Sequence, residues 1–136
     1  MTPNEDYTAL IFSLVNQARV DNSLPELNWD SRLAAAAARH SLDMACNSFV
    51  SHTGSDGTRA SDRVRDEGYS LQWVGENIYG GWGSYGDPNN VFTWWMNSQA
   101  HRDNILGVYY QDTGVGYYLN PETGRGYFTI VFGVPK

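Results

Sequence analysis

The sequence predicts an α+β fold in which helices cover an antiparallel sheet. Three observations predict it. Apolar residues recur at helical spacing through the first half of the chain and again after Asp87. They alternate with period two around Glu76 and again near the C-terminus. The order is therefore helices, strand, helix, hairpin, with no linker and no internal repeat. At 136 residues the chain has the length of one domain, residues 1–136. A domain this long buries roughly two thirds of the surface of its unfolded chain.

The elements follow in order. Tyr7, Leu10, Ile11, Leu14, Val15 and Ala18 form an amphipathic stripe, so about residues 5–21 are helical. Asn22-Ser23-Leu24-Pro25 ends that helix, and Leu27-Asn28-Trp29 is a short extended link. Asp30 or Ser31 caps a second helix that runs through an alanine run to about Cys46. Leu33, Ala37, His40 and Met44 fall on one face of it, which makes His40 a hydrogen-bonded core histidine. Residues 47–57 are a polar loop holding His52. A third helix covers about 58–67, and Gly68 suits the position just after it.

Leu71–Tyr79 reads as a strand and Gly80–Gly86 as a glycine-rich loop carrying Trp82 and Tyr85. Asp87-Pro88 starts a fourth helix with Val91, Trp94, Trp95 and Ser98 on its inward stripe. Residues 101–106 add one more turn. Strands at about 113–119 and 127–134 flank the turn Asn120-Pro121-Glu122-Thr123-Gly124 and pair antiparallel.

Composition excludes several classes of function. Net charge is −6 and the isoelectric point is near 4.8, which argues against a nucleic-acid partner. A single cysteine, Cys46, rules out an intrachain disulfide and reads as a small buried hydrophobe. No stretch is long and apolar enough to span a membrane. The polar start carries no secretory signal and is what a mature domain with an added Met would show. Aromatic residues make up 14% of the chain, a large supply of rigid contact surface.

The chemistry centres on Val74-Gly75-Glu76-Asn77-Ile78. Alternation puts Val74, Glu76 and Ile78 on one face, and the two apolar members turn that face inward. Glu76 is then a carboxylate that needs a cation, a metal or hydrogen-bond donors. Two of the three histidines, His52 and His101, lie in polar stretches able to come back to it.

Five segments in order carry a resemblance. Phe49-Val50-Ser51-His52, Gly75-Glu76-Asn77-Ile78, residues 95–106 around His101, Gly114-Val115-Gly116 and residues 127–133 resemble the CAP superfamily. That group holds cysteine-rich secretory proteins, antigen 5 and pathogenesis-related 1 proteins, also called SCP or TAPS domains. The match is closest to its cysteine-poor microbial branch. The resemblance implies a three-layer α-β-α sandwich with a central antiparallel sheet and a central cleft. It also implies secretion, hence an extracellular location.

Family members carry two His and two Glu in the cleft and often bind a divalent metal through the histidines. Here His52 and His101 match the histidines, and are the expected metal ligands. Glu76 matches the first Glu. Ser98 stands where the second Glu falls, Ala100 replaces a Gly and Ile130 replaces a Gln. The implied cleft is thus His52, Glu76, Ser98 and His101, with zinc the expected ion and Glu76 orienting or bridging through water. Ser98 is also within reach of His101 along the helix.

Three functions are consistent with this pattern. The first is a non-enzymatic, monomeric binding module for a lipid, sterol, glycan or extracellular protein. The second is a hydrolase using metal-bound water with Glu76 as base, or a catalytic Ser98-His101-Glu76 set. The third is a cell-wall carbohydrate binder stacking sugars on Trp73, Tyr79, Trp82 and Tyr85.

Overall fold

Capping residues start the helices where the sequence places them. In a computed structural model covering residues 1–136, the Asn4 side chain accepts from the Tyr7 N–H and starts α1, Glu5–Asp21. Asp30 accepts from the Arg32 and Leu33 N–H groups and starts α2, Ser31–Asn47. A short α3, Ala60–Asp66, follows, and Gly68 at φ +88° turns the chain out of it. Asp87 and Pro88 open α4, Pro88–Met96. The expected extra turn is instead a separate helix, α5, Gln99–Ile105, because the chain leaves helical geometry at Ser98.

The strands are β1 (Thr2–Pro3), β2 (Asn28–Trp29), β3 (Leu71–Trp82), β4 (Asp112–Asn120) and β5 (Arg125–Pro135). Their order is β1-β4-β5-β3, with β2 also on β4. The long pairs are antiparallel; only the two-residue β2 runs parallel to its neighbour. β3 outruns its expected end, since Gly80 and Gly81 pair with Tyr127 and Gly126 instead of looping out. A 3-10 turn at Gly83–Gly86 makes the rest of the glycine-rich segment.

Helices lie on both faces, giving the expected α-β-α sandwich. Strand β5 is buried on both sides and reads as a near-continuous apolar run for that reason. Phe128, Ile130 and Phe132 point to a core with Ile11 and Val15 of α1, Val91 and Trp95 of α4, and Ile105 of α5. Val131 and Tyr127 point the other way, to Leu33, Ala37 and Met44 of α2 and Val64 of α3. The alanine run of α2 has a specific purpose. A side chain at Gly114 or Gly116 would overlap the backbone of Ala34 or Ala38, so helix and strand touch directly.

Two expectations need correcting. Cys46 is exposed, because the buried stripe of α2 ends at Met44 and Ala45 and the next residue turns to solvent. Trp94 is 49% exposed while Trp95 is fully buried, so only Trp95 belongs to the inward stripe. Its indole N–H donates to the Ile78 carbonyl. The stripe of α1 ends in a charge: Arg19 is fully buried. Its guanidinium donates to the carbonyls of Pro25, Ile105 and Gly107, which fixes the end of α5 against α1.

Candidate functional site

The site lies at the free edge of β3, where segments from the two helical layers meet. Val74, Glu76 and Ile78 share the face toward α2 and α3, as the alternation requires. Glu76 is 8% exposed. Its Oε2 accepts from Arg63 Nη2 at 2.9 Å, and its Oε1 lies 2.9 Å from His52 Nδ1. The buried carboxylate therefore has its cation, and that cation is Arg63 of α3. The same guanidinium donates to the His52 and Thr58 carbonyls, tying the loop after α2 to the strand.

With Glu76 Oε1 accepting, Nδ1 is the donor atom of His52, and its Nε2 has no partner in the chain. The His52 side chain is 58% exposed. His101 comes from α5, in the opposite layer. Its Nδ1 shares a 2.6 Å hydrogen bond with Ser98 Oγ, and its ring packs 5.0 Å from the Trp94 ring. Burial lowers the pKa of His101, and the charge of neighbouring His52 lowers it further. The amides of Asn77 and Asn104 fasten α5 to β3. Asn77 donates to the His101 carbonyl, and Asn104 donates to Asn77 Oδ1 and the Glu76 carbonyl.

His40 is fully buried, as its helical stripe implies. Its Nε2–H donates to the Ser51 carbonyl at 2.6 Å, which holds the residue next to His52 in place. Its Nδ1 is buried with no partner, and burial lowers its pKa.

The geometry sorts the chemical possibilities. Both Glu76 oxygens are engaged, one by His52 and one by Arg63, so Glu76 acts on the orientation of His52. Ser98 and His101 are paired, but the carboxylate bonds to the other histidine, so no Ser98-His101-Glu76 relay forms. No group of three or more His, Cys, Asp or Glu side chains gathers as a metal cage. Each Nδ1 has a partner within the chain, Glu76 for His52 and Ser98 for His101, so the Nε2 atoms are the ring nitrogens without one.

No motif in the sequence singles out Arg63. The signal was there: a carboxylate on an inward strand face demands a cation, and Arg63 sits beside Val64 on the short helix before that strand. Of the four aromatic residues expected to stack sugars, Trp73, Trp82 and Tyr85 are exposed, whereas Tyr79 is half-buried and packs on the core and on Trp94. Arg125 stacks 4.2 Å over the Trp82 ring. No helix is long and apolar enough to cross a membrane.

Residues 12–132 match the model of the cysteine-rich secretory protein family, CAP. The chain is 35% identical over 122 residues to the membrane protein YlbC of Bacillus subtilis, covering 90% of this chain and 33% of that protein. It resembles an extracellular SCP-domain protein of Bacillus anthracis, with a TM-score of 0.86 and 31% identity over 95% of this chain and 40% of the other. An outer surface protein of Borrelia burgdorferi has the same fold, with a TM-score of 0.89 at 20% identity, covering 99% of this chain and 98% of that one. The chain thus spans about a third of the Bacillus subtilis relative's length. Fold, ordered motifs and family match agree: the chain belongs to the CAP family of cysteine-rich secretory proteins.

Proposed function

We propose that this CAP domain is an extracellular binding module. Its cleft of His52, Glu76, Ser98 and His101 takes a lipid, sterol, glycan or protein ligand, and His52 and His101 would hold a divalent metal such as zinc. One observation carries the reading: both Glu76 oxygens are committed, to His52 and to buried Arg63. A carboxylate so held orients an imidazole and is a poor general base. A bound zinc ion supplies a Lewis-acidic point for a ligand oxygen. Ser98 and Glu76 keep the two rings aimed, and Trp94 shields His101 from solvent. The likeness to an extracellular protein of Bacillus anthracis supports the location.

A hydrolase is the second reading, favoured by the 2.6 Å contact between Ser98 Oγ and His101 Nδ1. Carbohydrate stacking on Trp73 and Trp82 is the third, favoured by their exposure. Zinc titration by calorimetry separates them. We expect His52→Ala and His101→Ala each to lose at least tenfold in affinity. Glu76→Gln should lose about 10- to 100-fold through misorientation of His52. Unchanged zinc binding in the double histidine variant would overturn the metal cleft. Turnover of an ester or glycan that Ser98→Ala abolishes would favour the hydrolase.

A further inference from the structure

A cavity of about 530 Å³ lies on the opposite edge of the sheet from the histidines. It is a groove with the backbone of β4 as its floor. Ala9 and Phe12 of α1 form one wall, and Ala34 and Ala38 of α2 form the other. Pro3 of β1 closes one end. Trp29 of β2, packed edge-on against Phe12, closes the other.

The floor is unusual. β1 pairs with Leu119 and Tyr118, and β2 pairs with Asp112 and Thr113. Both neighbours then turn away into helices, so nothing pairs with residues 114–117 on this edge. Strand alternation directs the Gly114 and Gly116 backbone to β5 and the Val115 backbone into the groove. The Thr113 carbonyl, two residues earlier on the same side, accepts from the Asp30 N–H. By the same alternation no strand of the chain stands opposite the Val115 N–H and C=O on this edge, although the residue is only 3% exposed. Unpaired backbone groups in a buried, apolar setting are rare and costly.

We propose that this groove binds an extended peptide segment of another protein by strand addition, with the Val115 N–H and C=O as its anchoring hydrogen bonds. The edge accepts strands in both directions already, since β1 runs antiparallel and β2 parallel to β4. The gap of residues 114–117 is about 13 Å long at roughly 3.3 Å per residue, so three or four peptide residues lie flat in it. Alternate side chains then meet the apolar walls, which small β-branched residues fit. Glu5 is the only charged residue lining the groove, which favours a basic residue at the β1 end. An acyl chain would fill the walls but leave the Val115 groups unpaired, so the observations favour a peptide.

The test uses the whole chain and a blocked pentapeptide of alternating valine and threonine flanked by lysines. Amide resonances of Val115 and Tyr117 are followed during titration, with hydrogen exchange measured at saturation. We expect both resonances to move and exchange at Val115 to slow at least tenfold. N-methylation of the peptide at alternate residues should weaken binding at least tenfold, because it removes the donors and keeps the side chains. Ala9→Trp, on an exposed wall position, should abolish binding, and Glu5→Lys should weaken it several-fold. Binding indifferent to N-methylation, or no response at about 1 mM peptide, would overturn the proposal. So would decanoate moving these amides where the peptide does not, which would make the groove an acyl site. Amide shifts that depend on protein concentration alone would instead overturn it in favour of a second copy as the occupant.

Discussion

Arg63 Nη2 lies 2.9 Å from Glu76 Oε2, and both side chains are almost wholly buried. The pair joins α3 to β3 and, through the His52 carbonyl, fixes the loop that carries one of the two cleft histidines. Removing one partner strands the other charge in a low-dielectric setting. Arg63→Met should therefore cost about 3–5 kcal/mol. The Arg63→Met, Glu76→Leu double variant should recover much of that, since no buried charge remains. Urea melts of the three proteins decide it; a loss under about 1 kcal/mol for Arg63→Met would show that water reaches Glu76.

The two adjacent tryptophans of α4 should behave oppositely. Trp95 is fully buried and donates to the Ile78 carbonyl, so Trp95→Ala should cost about 3–5 kcal/mol. Trp94 is half exposed and packs on Tyr79 and His101. Its replacement by Ala should cost about 1 kcal/mol or less while shifting the His101 imidazole resonances. Equal losses in denaturant melts would mean that the helix face is misassigned.

Contact between α2 and β4 sets a third expectation. A methyl group at Gly114 or Gly116 would run into the backbone of Ala34 or Ala38, which no rotamer change relieves. Gly114→Ala and Gly116→Ala should each cost more than about 3 kcal/mol. Gly124→Ala, in the open β4–β5 turn at φ +74°, should cost only about 1 kcal/mol, from backbone strain. Thermal melts rank the three variants, and equal ranking would contradict the close helix-strand packing.

Acidification below about pH 6.5 should destabilise the protein. Burial lowers the pKa of His40 below its ordinary 6.5, against the raising effect of Glu76 and Asp43 and with the lowering effect of Arg63. Burial lowers His101 in the same direction. The unfolded chain then binds more protons than the folded one at pH below about 6.5. Stability is complete above that value, falls as pH drops below it, and reaches its full loss once pH passes under the folded pKa. Urea melts at pH 7.5 and 5.0 should show the decline, and His40→Gln should reduce it. Constant stability over that interval would mean that His40 gains a proton without cost.

Much of this architecture was legible in the chain. Periodicity and capping placed α1, α2, α4 and the β4–β5 hairpin, because amphipathic stripes and Asp caps act over a few residues. The inward turn of Glu76 and the burial of His40 followed from the same local rules. The 3-10 turn, the break at Ser98 and the length of β3 did not. They depend on what packs or pairs across the sheet, such as Gly81 against Gly126. Cys46 and Trp94 were misplaced for a related reason: a stripe gives a face to within a residue, and the neighbouring layer decides where that face stops.

The sequence by itself determined the fold class, through spacing and order along the chain, and its resemblance to the CAP family pointed to His52, Glu76, Ser98 and His101. Only the tertiary structure decided how those residues are partnered. It gave Glu76 to His52 and Arg63, left His101 to Ser98, and opened an unpaired edge on β4 between two short strands. Partner choice at hydrogen-bond distance is set by long-range packing, which brings together residues far apart in sequence and leaves no local periodicity to read.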